Sequence, residues 1–270
     1  MSYPAATGLA AVENAVQLAD NVGARLSAMT YEMEVAPFIG LFVEVQHVSA
    51  VIDAEREKNH KLAREVVATF ERVANLAGLP HDHIVAHCAP GEFPGRLVKE
   101  AHLRDLSMLA IGGKGMEQSL AEALVFESGR PVLIFPEEPQ RELAGAMDNV
   151  ALAWDSSGPA TRAMTDAFPL LERSRTLRIF TVVDEKPIDA SSSSEALPEH
   201  LARHGIKAVC DEVRSHGKPI GEVFTSYVAE HKIDLLVMGA YGHSRFREFV
   251  LGGATRSIMA SPPTWVLLSH

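Results

Sequence analysis

The sequence predicts an α/β protein of two doubly wound parallel-sheet domains in tandem, the first lacking its first strand. Three observations carry that prediction. Short apolar runs such as "LLVM" (235–238) and "VLIF" (132–135) show no polar alternation, so both faces of each strand are buried, as in a parallel sheet covered by helices. These runs alternate with helical stretches along the chain. The two halves also repeat one another: "DLSMLAIGGKG" (105–115) matches "DLLVMGAYG" (234–242), and "GRPVLIFP" (129–136) matches "PPTWVLLSH" (262–270). Aligning Gly112 and Gly115 with Gly239 and Gly242 gives an offset of 127 residues, the length of a domain and far beyond a solenoid period. The join, "PEEPQRELAGAMD" (136–148), is polar and proline-bearing, which places the domains at 1–137 and 145–270.

In the first half the opening helix spans Gly8–Asn21. Only "MSYPAAT" precedes it, too short and too poor in β-branched residues to supply the strand that "NVALAW" (149–154) supplies in the second half. The stretch "EVAPFIGLFVEVQ" (34–46) is apolar enough to patch that gap; its Pro37 and Gly40 also suit a loop into the helix of 47–76. Within that helix, Asp53–Arg72 sets charges against Leu62, Val66, Val67 and Phe70, an amphipathic face for a sheet. In "LPHDHIVAHC" (79–88), His81, His83 and His87 alternate onto one strand face. Three such imidazoles with a carboxylate such as Asp82 could hold zinc or copper, but the spacing supplies no convergent fourth ligand, and a wet edge strand carries the same pattern.

The second half predicts strands at Val150–Trp154, Leu177–Val183, Lys207–Val213, Asp234–Met238 and Trp265–Leu268. Helices fall near Pro159–Arg173, Ser194–Arg203, Ile220–Glu230 and Gly253–Ala260. His200 and His204 stand one turn apart and read as a solvated face. "DASSSSEA" (189–196) is a polar loop with Ser194 as a helix cap.

The bulk numbers exclude several classes. At 270 residues and 47 % apolar, the chain has ample material for folded cores. A formal charge of −10 with no block of Lys and Arg disfavours nucleic acid as a partner. The longest apolar stretch, Val35–Val43, falls far short of a bilayer span, and the N-terminus lacks a secretory signal. Cys88 and Cys210 have neither metal nor redox spacing and read as thiols in a reducing cytoplasm. No nucleophile–base pair, paired carboxylates or G-x-G-x-x-G fingerprint appears, so the expectation is a protein that is not an enzyme.

The chemistry concentrates in "MGAYGHSRFREFVLGGATRS" (238–257). Glycines at the end of a buried strand and at the start of a helix let backbone amides approach an anion, phosphate being the usual one. They also suit a plain tight turn. Gly239-x2-Gly242-x9-Gly252 after a strand, together with the Trp154–Gly158 opening "WDSSG", resembles the universal stress protein family over nearly the whole chain, as a tandem of two such domains. The resemblance implies an adenine nucleotide alpha hydrolase-like fold, and a cytoplasmic stress-response regulator binding ATP or another adenine nucleotide. It implies that Asp155 faces the ribose or adenine and that Met238 and Gly239 border the nucleoside. Gly242, Gly252, Gly253, Ala254 and Thr255 would offer amides, and the Thr255 hydroxyl, to phosphate. Arg245 and Arg247 lie in the loop between. The ATP-binding form carries Ser or Thr directly after the third glycine, where this chain has Gly253, so one hydroxyl is lost and binding is expected to be weak.

The first half departs further. From Gly115 to Pro131 is 16 residues against 23 from Gly242 to Trp265, no glycine stands where Gly252 does, and Glu117 and Glu122 would repel phosphate. One nucleotide per chain, in the second half, is the expectation. Alternatives of other classes are a nucleotide-free interaction scaffold with an unknown protein partner and a slow ATPase. In relatives of the family two copies pair through the last strand. Here Val132–Phe135 and Trp265–Leu268 would pair within one chain as a pseudo-dimer, which leaves further oligomers to other surfaces.

Overall fold

The computed structural model describes residues 9–33, 45–89, 91–112, 116–137, 147–184, 196–240 and 253–270. The chain divides into two compact units, Met1–Glu100 and Ala101–His270.

The first unit holds helix α1 (Leu9–Val22), strand β1 (Leu26–Met33), helix α2 (Val45–Leu76), strand β2 (His81–Cys88) and helix α3 (Phe93–Ala101), whose last residue crosses the unit boundary. β1 and β2 form a parallel two-stranded sheet in the register Leu26↔His81 to Met33↔Cys88. Residues that pair across the register share a face. Ala28 therefore lies on the α2 side, in a core with Val12, Val16 and Ala19 of α1, Phe70 and Ala74 of α2, and Leu79. On the opposite face Tyr31 stacks on Phe93 with ring centroids 4.1 Å apart. The amphipathic stripe of α2 buries Val66, Val67 and Phe70 as its periodicity requires. The proposed patch over residues 34–44 lies outside the described residues.

The second unit contains strand β3 (Ser107–Ile111), helix α4 (Met116–Glu127) and strand β4 (Val132–Pro136), then the whole second repeat. That repeat runs β5 (Asn149–Ala153), α5 (Gly158–Leu171), β6 (Thr176–Val182), α6 (Ala196–Arg203), β7 (Ala208–Val213), α7 (Ile220–Glu230), β8 (Leu235–Gly239), α8 (Gly253–Ala260) and β9 (Trp265–Ser269). The strands form one seven-stranded sheet in the order β3-β4-β9-β8-β5-β6-β7. All neighbours are parallel except β4 and β9, which pair antiparallel as Val132↔Leu268, Leu133↔Leu267 and Ile134↔Val266. The edges that the sequence left open at these two strands are closed against each other. The unbroken apolar runs of β4, β8 and β9 are buried almost completely, as expected for strands covered on both faces. Right-handed crossovers put α5 and α6 over one face and α7 and α8 over the other. The expected strands and helices of this repeat fall within two residues of the observed ones; the cap at Ser194 lies outside the described residues.

The missing strand has a topological consequence. In the second repeat β5 lies between β6 and β8. In the first repeat β1 and β2 correspond to β6 and β7, and β3 and β4 to β8 and β9. No strand among the described residues stands in the place of β5, and the two pairs belong to separate sheets. Removing the central strand of a doubly wound sheet removes the only ladder that joins its halves. The compact units thus part at 100/101, inside the first repeat, whereas the sequence linker lies at 136–148.

Candidate functional site

In a doubly wound sheet the ligand-binding crevice opens beyond the carboxyl ends of the strands, where successive crossovers leave in opposite directions. Here that point lies between β5 and β8, paired as Ala153↔Met238. Asp155 follows β5 and is exposed. One of its carboxylate oxygens accepts from the Ser157 amide at 3.0 Å, and the other has no partner among the described residues. Ser156 takes a left-handed φ of 60°, so the turn folds tightly into the cap of α5. Ser157 closes that cap by accepting from the Ala160 amide at 3.2 Å, with Pro159 in the first turn.

The motif glycines have distinct surroundings. A Cβ on Gly239 would lie 2.5 Å from the Ala160 nitrogen, 2.6 Å from the Pro159 carbonyl carbon and 2.9 Å from the Pro159 Cβ. The start of α5 is seated directly on Gly239, so the chain's own backbone already demands glycine there. Gly253 is exposed, and a Cβ on it would meet no described residue within 4 Å. Since α8 runs from β8 back to the parallel β9, its amino end opens at the same carboxyl edge. Its first amides are donors that the helix's own bonding pattern does not use. Ala254 is half-buried, Met238 is buried, and Thr255 is only 4 % exposed, packed within the helix seat rather than at its open end. Gly242, Gly252, Arg245 and Arg247 lie outside the described residues. The structure therefore brings Asp155, Gly239 and the start of α8 to one edge.

Further groups at this edge escaped the sequence reading. Ser269 pairs in register with Gly239, is 3 % exposed, and its hydroxyl has no hydrogen-bond partner among the described residues; the buried indole nitrogen of Trp154 has none among them either. His270 follows, its Nδ1 3.0 Å from the Ala240 carbonyl oxygen. The only signal in the sequence was position just past a buried strand. The seat of α8 is also set remotely: a Cβ on Gly221 of α7 would collide with the Ser257 side chain of α8.

The first repeat fills the equivalent places with its own atoms. The space over Gly112 is taken by the Glu137 carboxylate. α4 has twelve residues against eight in α8, so it carries an extra turn at its start. Glu117 in that turn is 2 % exposed, with one oxygen unpartnered.

Strong electrostatic perturbation lies elsewhere, between β6, β7 and α7. Arg178 donates to Asp211 at 2.8 Å, and the Tyr227 hydroxyl donates to the same Asp211 oxygen at 2.5 Å. Burial alone would raise the Asp211 carboxyl, but these two bonds and the Arg178 charge hold it below the usual range. Burial and the Asp211 bond push the Tyr227 hydroxyl well above the ordinary tyrosine value. The group braces the sheet edge and lies away from Asp155. The strand histidines disperse to separate partners: His81 to the Leu79 carbonyl (2.7 Å), His83 to Glu71 (3.0 Å), and His87 to Glu32 (3.1 Å), which His60 also contacts (2.7 Å). Among the described residues no group of three His, Cys, Asp or Glu converges as a metal would need, and neither cysteine is in a disulfide. No described helix is long and apolar enough to cross a membrane.

Residues 147–270, the second repeat, match the model of the universal stress protein family. A universal stress protein of Synechocystis sp. is 25 % identical over 237 residues, covering 82 % of this chain and 77 % of its own. The crystal structure of a universal stress protein from Archaeoglobus fulgidus superposes with a TM-score of 0.71 at 18 % identity, over 99 % of this chain and 93 % of that one. A putative universal stress protein from Pseudomonas aeruginosa gives 0.52 at 12 % identity, with 95 % of each chain covered. These structural likenesses speak to the fold, in which the site above has its place. The chain is thus similar to universal stress proteins, and its second repeat carries the match to that family's model.

Proposed function

We propose that this protein is a cytoplasmic stress-response regulator that binds one adenine nucleotide per chain, weakly, in its second repeat, and that it is not an enzyme. The observation that carries the reading is the strand switch point itself. Asp155, with one oxygen unengaged, and the open start of α8 at Gly253 flank the same carboxyl edge. Asp155 suits the ribose hydroxyls as an acceptor; the amides of Gly253 and Ala254 suit phosphate through the partial positive charge of a helix start. The relatives' name supports the stress-response role. Among the described residues nothing at the edge pairs a nucleophile with a base, which disfavours the slow-ATPase alternative.

Calorimetric titration with ATP tests the proposal. The parent should saturate at one nucleotide per chain, and Gly253→Asp should abolish binding by setting a carboxylate against the phosphates. Gly253→Ser has room for its side chain and should tighten binding about tenfold, the lower range for a hydrogen bond to a charged group. A stoichiometry of two, or equal affinities in all three proteins, would overturn the assignment. A second reading, a nucleotide-free interaction scaffold, draws on Gly239 being required by α5 and on Thr255 being buried. It predicts no binding heat with any adenine nucleotide.

A further inference from the structure

Both repeats place one residue directly after their last strand: Glu137 after β4 and His270 after β9. In the first repeat the carboxylate lies over Gly112 and closes that edge with negative charge. In the second the residue is an imidazole, half-buried at the edge where Asp155, Gly239 and the start of α8 meet. The Ser269 carbonyl accepts from the Ala240 amide at 2.8 Å, which ties the end of β9 to the residue after β8. His270 Nδ1 then lies 3.0 Å from the Ala240 carbonyl. A carbonyl only accepts, so Nδ1 must carry the hydrogen, and Nε2 is left available. The ring is braced from the first repeat: because β4 runs antiparallel to β9, the carboxyl end of α4 reaches this edge, and Phe126 meets the His270 ring edge-on at 5.0 Å.

We propose that His270 is a phosphate-contacting residue of the nucleotide site, held in position by Phe126, so that the degenerate first repeat serves the second. The inference rests on the nucleotide reading and adds a charge to it. Phosphate oxygens accept hydrogen bonds, so Nε2 engages them as a donor. Charged side chains on the elements around the ring are Glu117, Glu122 and Glu127 of α4, Asp155 beyond β5 and Arg256 of α8. Phe126 is a positioning residue: it acts through the imidazole and touches no ligand.

The test is calorimetry of the full chain with ATP, with adenosine as a control lacking phosphate. His270→Ala should weaken ATP about tenfold, the size of one hydrogen bond to a charged group, while leaving adenosine unchanged. Phe126→Ala should lower ATP affinity in the same direction, again without effect on adenosine, and the double variant should bind no worse than His270→Ala alone. Undiminished ATP affinity in His270→Ala, or an equal loss for adenosine, would overturn the proposal, as would additive losses in the double variant. Failure of the parent to bind ATP at all would remove the nucleotide reading and this inference with it. ATP binding that ignores His270 would remove the inference alone.

Discussion

Glycine stands at 239 and at 253 for different physical reasons, although one motif contains both. At 239 the obstructing atoms are backbone, the Pro159 carbonyl carbon and the Ala160 nitrogen, and they cannot rotate aside. Gly239→Ala should force α5 away from β8 and cost about 1–3 kcal/mol, the range for overpacking a filled interior. At 253 the space is open, and Gly253→Ala should leave stability almost unchanged. Urea denaturation of the two alanine variants measures the contrast. Equal small effects would mean that α5 does not rest on Gly239 in solution. The sequence could say that glycines end this strand; it could not say which of them answers to the protein's own backbone, because α5 begins some 80 residues before Gly239.

At the scale of elements, the difference between the repeats is a helix start. α4 begins four residues after Gly112, whereas α8 begins fourteen after Gly239. The shortening of that connection was legible in the sequence. That the remaining residues would wind on as helix, burying Glu117 rather than presenting it to solvent, was decided by packing. Elements also carry the alkaline behaviour of the molecule. Tyr227 of α7 reaches Asp211 of β7, beside Arg178 of β6, and burial followed by the Asp211 bond keeps its proton on well above the ordinary range. A group that holds its proton more tightly when folded contributes stability below its unfolded value, about 10 for tyrosine, and loses it as pH rises towards the folded value. Tyr227→Phe should be less stable than the parent by about 1–3 kcal/mol at pH 7, through the broken network, with the gap narrowing above about pH 10. Urea denaturation at both pH values checks it; a gap independent of pH would mean that the hydroxyl does not titrate late.

At the scale of the whole molecule, β3 and β4 join the rest of their sheet only through the antiparallel β4–β9 ladder. Leu267 sits in it, buried between Leu133 and Val237. Leu267→Pro removes a ladder donor and part of the packing there. Hydrogen exchange followed by mass spectrometry should show β3 and β4 losing protection first, with β5, β6 and β7 affected less. Uniform loss across the sheet would show that its two ends do not part at this ladder. By itself the sequence determined the strand and helix order of the second repeat and the tandem α/β arrangement. Those follow from local periodicity, glycine spacing and the comparison of one half with the other. Only the tertiary structure decided that the described strands of the first repeat divide between two compact units, since ladder connectivity is a property of the whole sheet. It also decided that α5 rests on Gly239, that Glu137 covers Gly112, and that Phe126 of one repeat braces His270 of the other. Each is a meeting of residues far apart in the chain, brought together by strand order and the antiparallel turn of one repeat against the other, which no local pattern encodes.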